Sequence, residues 1–156
     1  MRIEELLCVG VTVRNLDDAI NLFSSLFETT FEDPDNLRAK TGLKTKRTIT
    51  EHADRSFEEA PRRGAISPVG LRFLETISPN EKEGLRSVAF KVSDLEQAKV
   101  EMKEKGIRLL EEMRSGGLKR AIFCPDDLHG IRLVLVEYNA PSMLEALPAP
   151  KKGAQL

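Results

Sequence analysis

The sequence predicts an α+β fold in which two βαβββ units form a curved, barrel-like mixed sheet around a cleft. Three observations predict it: apolar, β-branched runs of strand length, two stripes at helical spacing, and a second half that repeats the order of the first. The 156 residues suit one domain made of two half-domains, long enough to bury about two-thirds of the unfolded surface. The boundaries that follow are 1–78 for the first unit, 79–84 for a linker, 85–138 for the second unit and 139–156 for an extended tail.

In chain order, Leu6 to Val13 is an apolar run suited to a buried strand. Asn15 then precedes Leu16, Ala19, Ile20, Phe23, Leu26 and Phe27, a helical stripe with Asn15 as N-cap and Asp17 and Asp18 favourable to the dipole. From Asp33 to Pro68 proline, glycine and charges interrupt every window, and only Thr45 to Thr50 has strand character. Gly70 to Glu75 is the next strand, followed by the polar turn-rich stretch Ser78 to Gly84. Leu85 to Val92 opens the second unit. Ser93 and Glu96 form a capping box for a helix carrying Leu95, Ala98 and Met102 and stopped at Gly106. Ile107 to Leu110, Leu118 to Cys124 and Ile131 to Tyr138 are three further strands, the last two joined by the turn Pro125 to Gly130. The alignment that sets Cys8 on Ser87 also sets Gly10 on Ala89, Val13 on Val92, Leu16 on Leu95 and Ala19 on Ala98.

Charge narrows the partners. With 24 Lys+Arg against 25 Asp+Glu, there is no basic field to attract nucleic acid or an anionic membrane. No apolar run reaches the roughly 18–20 residues of a membrane span, and Glu4 and Glu5 stand where a signal peptide needs apolar residues. A cytoplasmic location is expected, with Cys8 and Cys124 as reduced thiols rather than a disulfide or zinc pair.

Three stretches carry a family resemblance: Val9 to Val13 with Asn15 to Ala19; Gly84 to Val92 with Asp94 and Leu95; and Phe123 to Glu137. They resemble the vicinal oxygen chelate superfamily, which includes the glyoxalases, bleomycin-resistance proteins and extradiol dioxygenases, and within it most closely the methylmalonyl-CoA epimerases. The resemblance implies a homodimer and a divalent metal held by two side chains from each unit. Those four places fall on Cys8, Arg72, Ser87 and Val134. Valine has no donor and arginine is a permanent cation, so no metal and no other cofactor is expected. His52 and His129 sit in the unread segment and in a turn, as solvated residues.

If the metal positions point inward, strand alternation lines the cleft with Cys8, Gly10 and Thr12; Gly70, Arg72 and Leu74; Ser87, Ala89 and Lys91; Arg132, Val134 and Val136. The candidate ligand-binding residues are therefore Cys8, Arg72, Ser87, Lys91, Arg132 and Val134. Lys91 and Arg132 have a second reading as strand-end side chains that reach solvent. Arg72 must meet either an anionic ligand or an acid, with Glu51, Glu58 and Glu59 as the acids available from the unread segment. Cys8 and Cys124 are read as small packing residues rather than nucleophiles. The expected function is binding of a small anionic organic molecule without metal; the alternative is an epimerase- or glyoxalase-like isomerase or lyase acting on an acyl thioester or carboxylate, with Arg72 in place of the ion. Catalytic residues are not assigned.

Overall fold

The computed structural model describes residues 1–34, 45–53 and 62–146. Its first unit contains β1 (Ile3–Val13), α1 (Leu16–Leu26), β2 (Lys46–Ile49), β3 (Gly64–Ile66) and β4 (Leu71–Glu75). The second contains β5 (Gly84–Val92), α2 (Leu95–Glu104), β6 (Leu109–Ser115), β7 (Leu118–Phe123) and β8 (Arg132–Glu137), and a short α3 (Met143–Ala146) follows. The eight strands form one curled half-barrel sheet in the order β2-β6-β7-β8-β5-β1-β4-β3. Among the described residues no helix is long and apolar enough to cross a membrane.

The two units meet at the antiparallel β1–β5 pair, where Cys8 lies opposite Ala89 and Gly10 opposite Ser87. A Cβ at Gly10 would meet Ser87 Oγ, so a side chain there would require Ser87 to rotate away. Each unit then adds its last strand in parallel: Gly10 pairs with Arg72 and Ala89 with Val134. β2 breaks this symmetry. It precedes β3 in sequence, yet it pairs with β6 at the far edge, Lys46 opposite Arg114 and Ile49 opposite Glu111.

Both long helices cover the convex face, because their apolar stripes need a partner that one sheet face supplies. Leu16 and Phe23 of α1 pack with Ala65, Phe31 and Phe73, the ring centroids of Phe23 and Phe31 lying 5.3 and 4.9 Å from that of Phe73. Leu95, Ala98 and Met102 of α2 pack on Ala121, Phe123 and Leu135. Asn15 caps α1 by accepting from the Asp18 amide at 3.0 Å. In α2 the cap is Asp94, which accepts from the Gln97 amide at 3.0 Å, and not the expected Ser93–Glu96 box. The backbone of Asp94 is extended, which sets its carboxylate over the open amides, while Glu96 turns outward to Lys99 and Arg114. Gly106, at φ +76, ends the α2 turn as the sequence predicts.

The second strand of the second unit is displaced from its expected position at Ile107 to Leu110. β6 begins at Leu109 and continues to Ser115, with a register irregularity between Leu109 and Glu111, and pairs along its length with β7. Hydrogen bonding to β7 through the Gly116–Gly117 turn outweighs the polar character of Glu111 and Glu112.

Candidate functional site

The concave face takes one side chain in two from each strand. Cys8, Ala89, Met113, Leu118, Ile122, Val134, Val136 and Tyr138 form its buried cluster. Arg72 and Arg120 stand among them: the space enclosed here is lined by both, together with Cys8, Ala89, Val134 and Met143. That space is about 40 Å³, room for only a few atoms. Cys8, Ile66 and Met143 also line a wider groove of about 500 Å³ that runs past Gly70 and Tyr138 to the surface. The small cleft thus meets the groove at a neck made by those three residues.

Of the residues singled out from sequence, Cys8, Arg72 and Val134 line the cleft directly. Ser87 lies one row away, opposite Gly10 on one side and Arg132 on the other, so Arg72, Gly10, Ser87 and Arg132 form a continuous row across four strands. Lys91 is turned to the far end, its Nζ 4.4 Å from the Tyr138 ring centre and 3.5 Å from Glu4. Glu51, one of the acids available to Arg72, is exposed and faces His52 at 3.5 Å; Glu58 and Glu59 lie outside the described residues.

The internal acid that sequence reasoning missed is Glu111, whose side chain is 1% exposed. One oxygen accepts from Arg120 NH2 at 2.8 Å and the other faces Arg47 NH2 at 2.7 Å. Arg47 belongs to β2, so this carboxylate also ties the crossed-over strand to the sheet. Arg120 Nε is buried and has no hydrogen-bond acceptor among the described residues. The pattern that would have found these residues is the alternation Glu111, Met113, Ser115 facing Leu118, Arg120, Ile122 across a Gly-Gly turn.

Electrostatics at Cys8 follow from the same neighbours. Burial pushes its thiol above the ordinary range, while the Arg72 and Arg120 guanidinium groups pull it downward and recover only part of the shift. A neutral thiol is a packing group, not an activated nucleophile. Tyr138 on the wall of the groove donates to Glu5 Oε1 at 3.1 Å, and burial with that carboxylate pushes its phenol up to about 12.

No protein-family model matches the chain, and no curated protein matches it. Solved structures do. The methylmalonyl-CoA epimerase of Mycobacterium tuberculosis superposes with a TM-score of 0.63 at 18% identity, covering 88% of this chain and 90% of that one. A Streptomyces coelicolor methylmalonyl-CoA epimerase variant, in complex with 2-nitronate-propionyl-CoA, gives 0.60 at 18% identity over 89% and 100% of the two chains. A hypothetical protein of Bacillus halodurans gives 0.60 at 16% identity over 88% and 96%. The fold is that of the vicinal oxygen chelate proteins.

The metal that this fold implies does not fit the residues present. Of the four positions, Val134 has no lone pair to donate and Arg72 brings a fixed positive charge. Among the described residues no group of three or more His, Cys, Asp or Glu is placed to hold an ion. The buried carboxylate, Glu111, has each oxygen engaged by a guanidinium. The inner face of this vicinal oxygen chelate fold is therefore built around arginine.

Proposed function

We propose that this protein binds the anionic head of a small acyl compound in the concave cleft, with Arg72 and Arg120 as its anchor and no metal taking part. The observation that carries the reading is Arg120, whose Nε is buried without an acceptor among the described residues, in a cleft that it shares with Arg72 and that is otherwise lined by apolar and thiol side chains. A buried N–H without a partner costs free energy that an entering oxygen recovers, and a guanidinium suits the planar fork of a carboxylate. The size of the cleft supports a head group of a few atoms, and the adjoining groove accommodates a longer tail. Two solved methylmalonyl-CoA epimerase structures of this fold are complexes with acyl-CoA compounds, methylmalonyl-CoA in one and 2-nitronate-propionyl-CoA in the other. An acyl thioester bearing a second carboxylate is accordingly the ligand class we assign.

Binding is favoured over turnover. An isomerase needs a base beside the reacting carbon, and among the described residues at the cleft the Cys8 thiol is neutral and both Glu111 oxygens are committed to arginines. Isothermal titration with methylmalonyl-CoA and with malonate tests the reading. Arg72→Met should weaken binding by about ten- to a hundredfold, as expected for loss of a charge-assisted contact. Equal affinity of that variant and the parent chain, or no heat from either probe at millimolar concentration, would overturn it. Exchange of the methylmalonyl α-proton in D2O at enzymatic rates would restore the isomerase alternative.

A further inference from the structure

We infer that the cleft is closed by the chain's own carboxy-terminal segment, with α3 acting as a lid and Met143 as its plug. The inference rests on the cleft being the binding site and concerns what controls entry to it. After β8 the chain leaves the sheet at Glu137 and turns back across the concave face, where Ala140, Met143, Leu144 and Ala146 pack against the cluster of Cys8, Val134 and Val136. Met143 lines both the cleft and the outer groove, at the neck where the two spaces meet. With Met143 in place, a cleft of about 40 Å³ is all that remains beside Arg72 and Arg120.

The attachment of this segment distinguishes a lid from a fixed wall. No residue of 140–146 pairs with a strand. The hydrogen bonds seen for it among the described residues run from the Glu145 amide to Ser142 Oγ at 3.2 Å and from the Ala146 amide to the Ser142 carbonyl at 3.0 Å, both inside the segment. Four small or flexible apolar residues hold it down, and among the described residues no hydrogen bond ties it to the body of the protein. Segments with few buried contacts and no external hydrogen bonds open well below the free energy of global unfolding. Lifting Met143 would merge the cleft with the groove of about 500 Å³ and bring the two arginines to the end of an open channel. The lid accounts for a site whose charged anchor is enclosed by apolar side chains: the head group enters only when the lid is away, and afterwards is screened from water.

Cys8 reports the state of the neck without any ligand, since it is buried and lines both spaces. In a Cys124→Ser background it is the sole thiol, and its alkylation by iodoacetamide can be timed in the full chain and in one ending at Ala140. Removing the lid should speed alkylation by about tenfold or more while the melting temperature stays far above that of the assay. A full-length Met143→Gly, Leu144→Ser variant, which keeps the backbone, should show the same direction. If either truncated or substituted chain is folded and alkylates at the parent rate, the lid is wrong. Malonate binding, measured on the same chains, separates this outcome from the binding reading. Faster alkylation with tighter malonate binding supports both; faster alkylation with no malonate binding keeps the lid and removes the anionic ligand; unchanged alkylation removes the lid whatever malonate does.

Discussion

In the first unit the Leu16 amide donates to Glu75 at 2.9 Å and Asn15 caps the helix; in the second the Leu95 amide donates to Glu137 at 3.3 Å and Asp94 caps it. Both carboxylates come from the last strand of their unit and satisfy an amide that the first helical turn leaves open. The register that makes Glu75 equivalent to Glu137 also makes Arg72 equivalent to Val134, while Cys8 corresponds to Ser87. The rims of the two units are thus built alike and their inner faces are not. Helix entry is a demand every βαβ crossover makes, so it survives in both copies. The inner face is under no such demand, and there one unit has a cation where the other has an aliphatic side chain.

The largest effect that sharpens this contrast is at Glu111. Glu111→Ala leaves Arg120 buried without the carboxylate that pairs with it among the described residues and removes one partner of Arg47, so unfolding by urea should show a loss of about 3–5 kcal/mol, as for other buried ion pairs broken on one side. A loss below about 1 kcal/mol would mean that the inner-face charge is already met by solvent or by other groups. A smaller effect tests the likeness of the rims: Asn15→Ala and Asp94→Ala should each cost about 1 kcal/mol, and by similar amounts. If only one cap matters, the two helix entries are not equivalent.

The smallest effect concerns Tyr138, whose counterpart by the same register is Thr76. It is the one tyrosine in a chain without tryptophan, so absorbance near 295 nm follows it alone. Its ionisation should have a midpoint near 12 in the folded protein, against about 10 in the unfolded chain. Because the folded phenol keeps its proton while the unfolded one loses it, stability should fall as pH rises from about 10 toward about 12, and Tyr138→Phe should remove that component. A folded-state midpoint near 10 would show that the phenol is neither buried nor held by Glu5.

The order βαβββ repeated was legible because each long element carries its own period: the apolar run at Leu6 to Val13, the stripe at Leu16 to Phe27, and their partners at Leu85 to Val92 and Leu95 to Met102. Arg72 was legible as a concave residue because the family resemblance sets it on an inward-pointing position of a strand with clear strand character. Glu111 was not, since the strand was expected to end at Leu110, and a register shift between Leu109 and Glu111 breaks the alternation from that stretch into Glu111, Met113 and Ser115. Arg120 went unseen with it, because its inward direction follows only from the register of the same hairpin. β2 could be located at Thr45 to Thr50 but its partner could not, because four residues with no apolar face carry no information about which edge they join.

That exchanged strand bears on how the chain reaches its native state. Ile3 waits for Val92 before β1 finds its antiparallel neighbour, and Lys46 waits for Arg114 before β2 finds any neighbour at all. During synthesis the first half therefore emerges with two strands whose hydrogen bonds can be completed only by residues not yet translated. Closing such long loops is slow relative to local pairing. The first unit, expressed alone, should lack a place for β2 and expose the inward edge of β1, so the two halves are one cooperative folding unit despite their internal likeness.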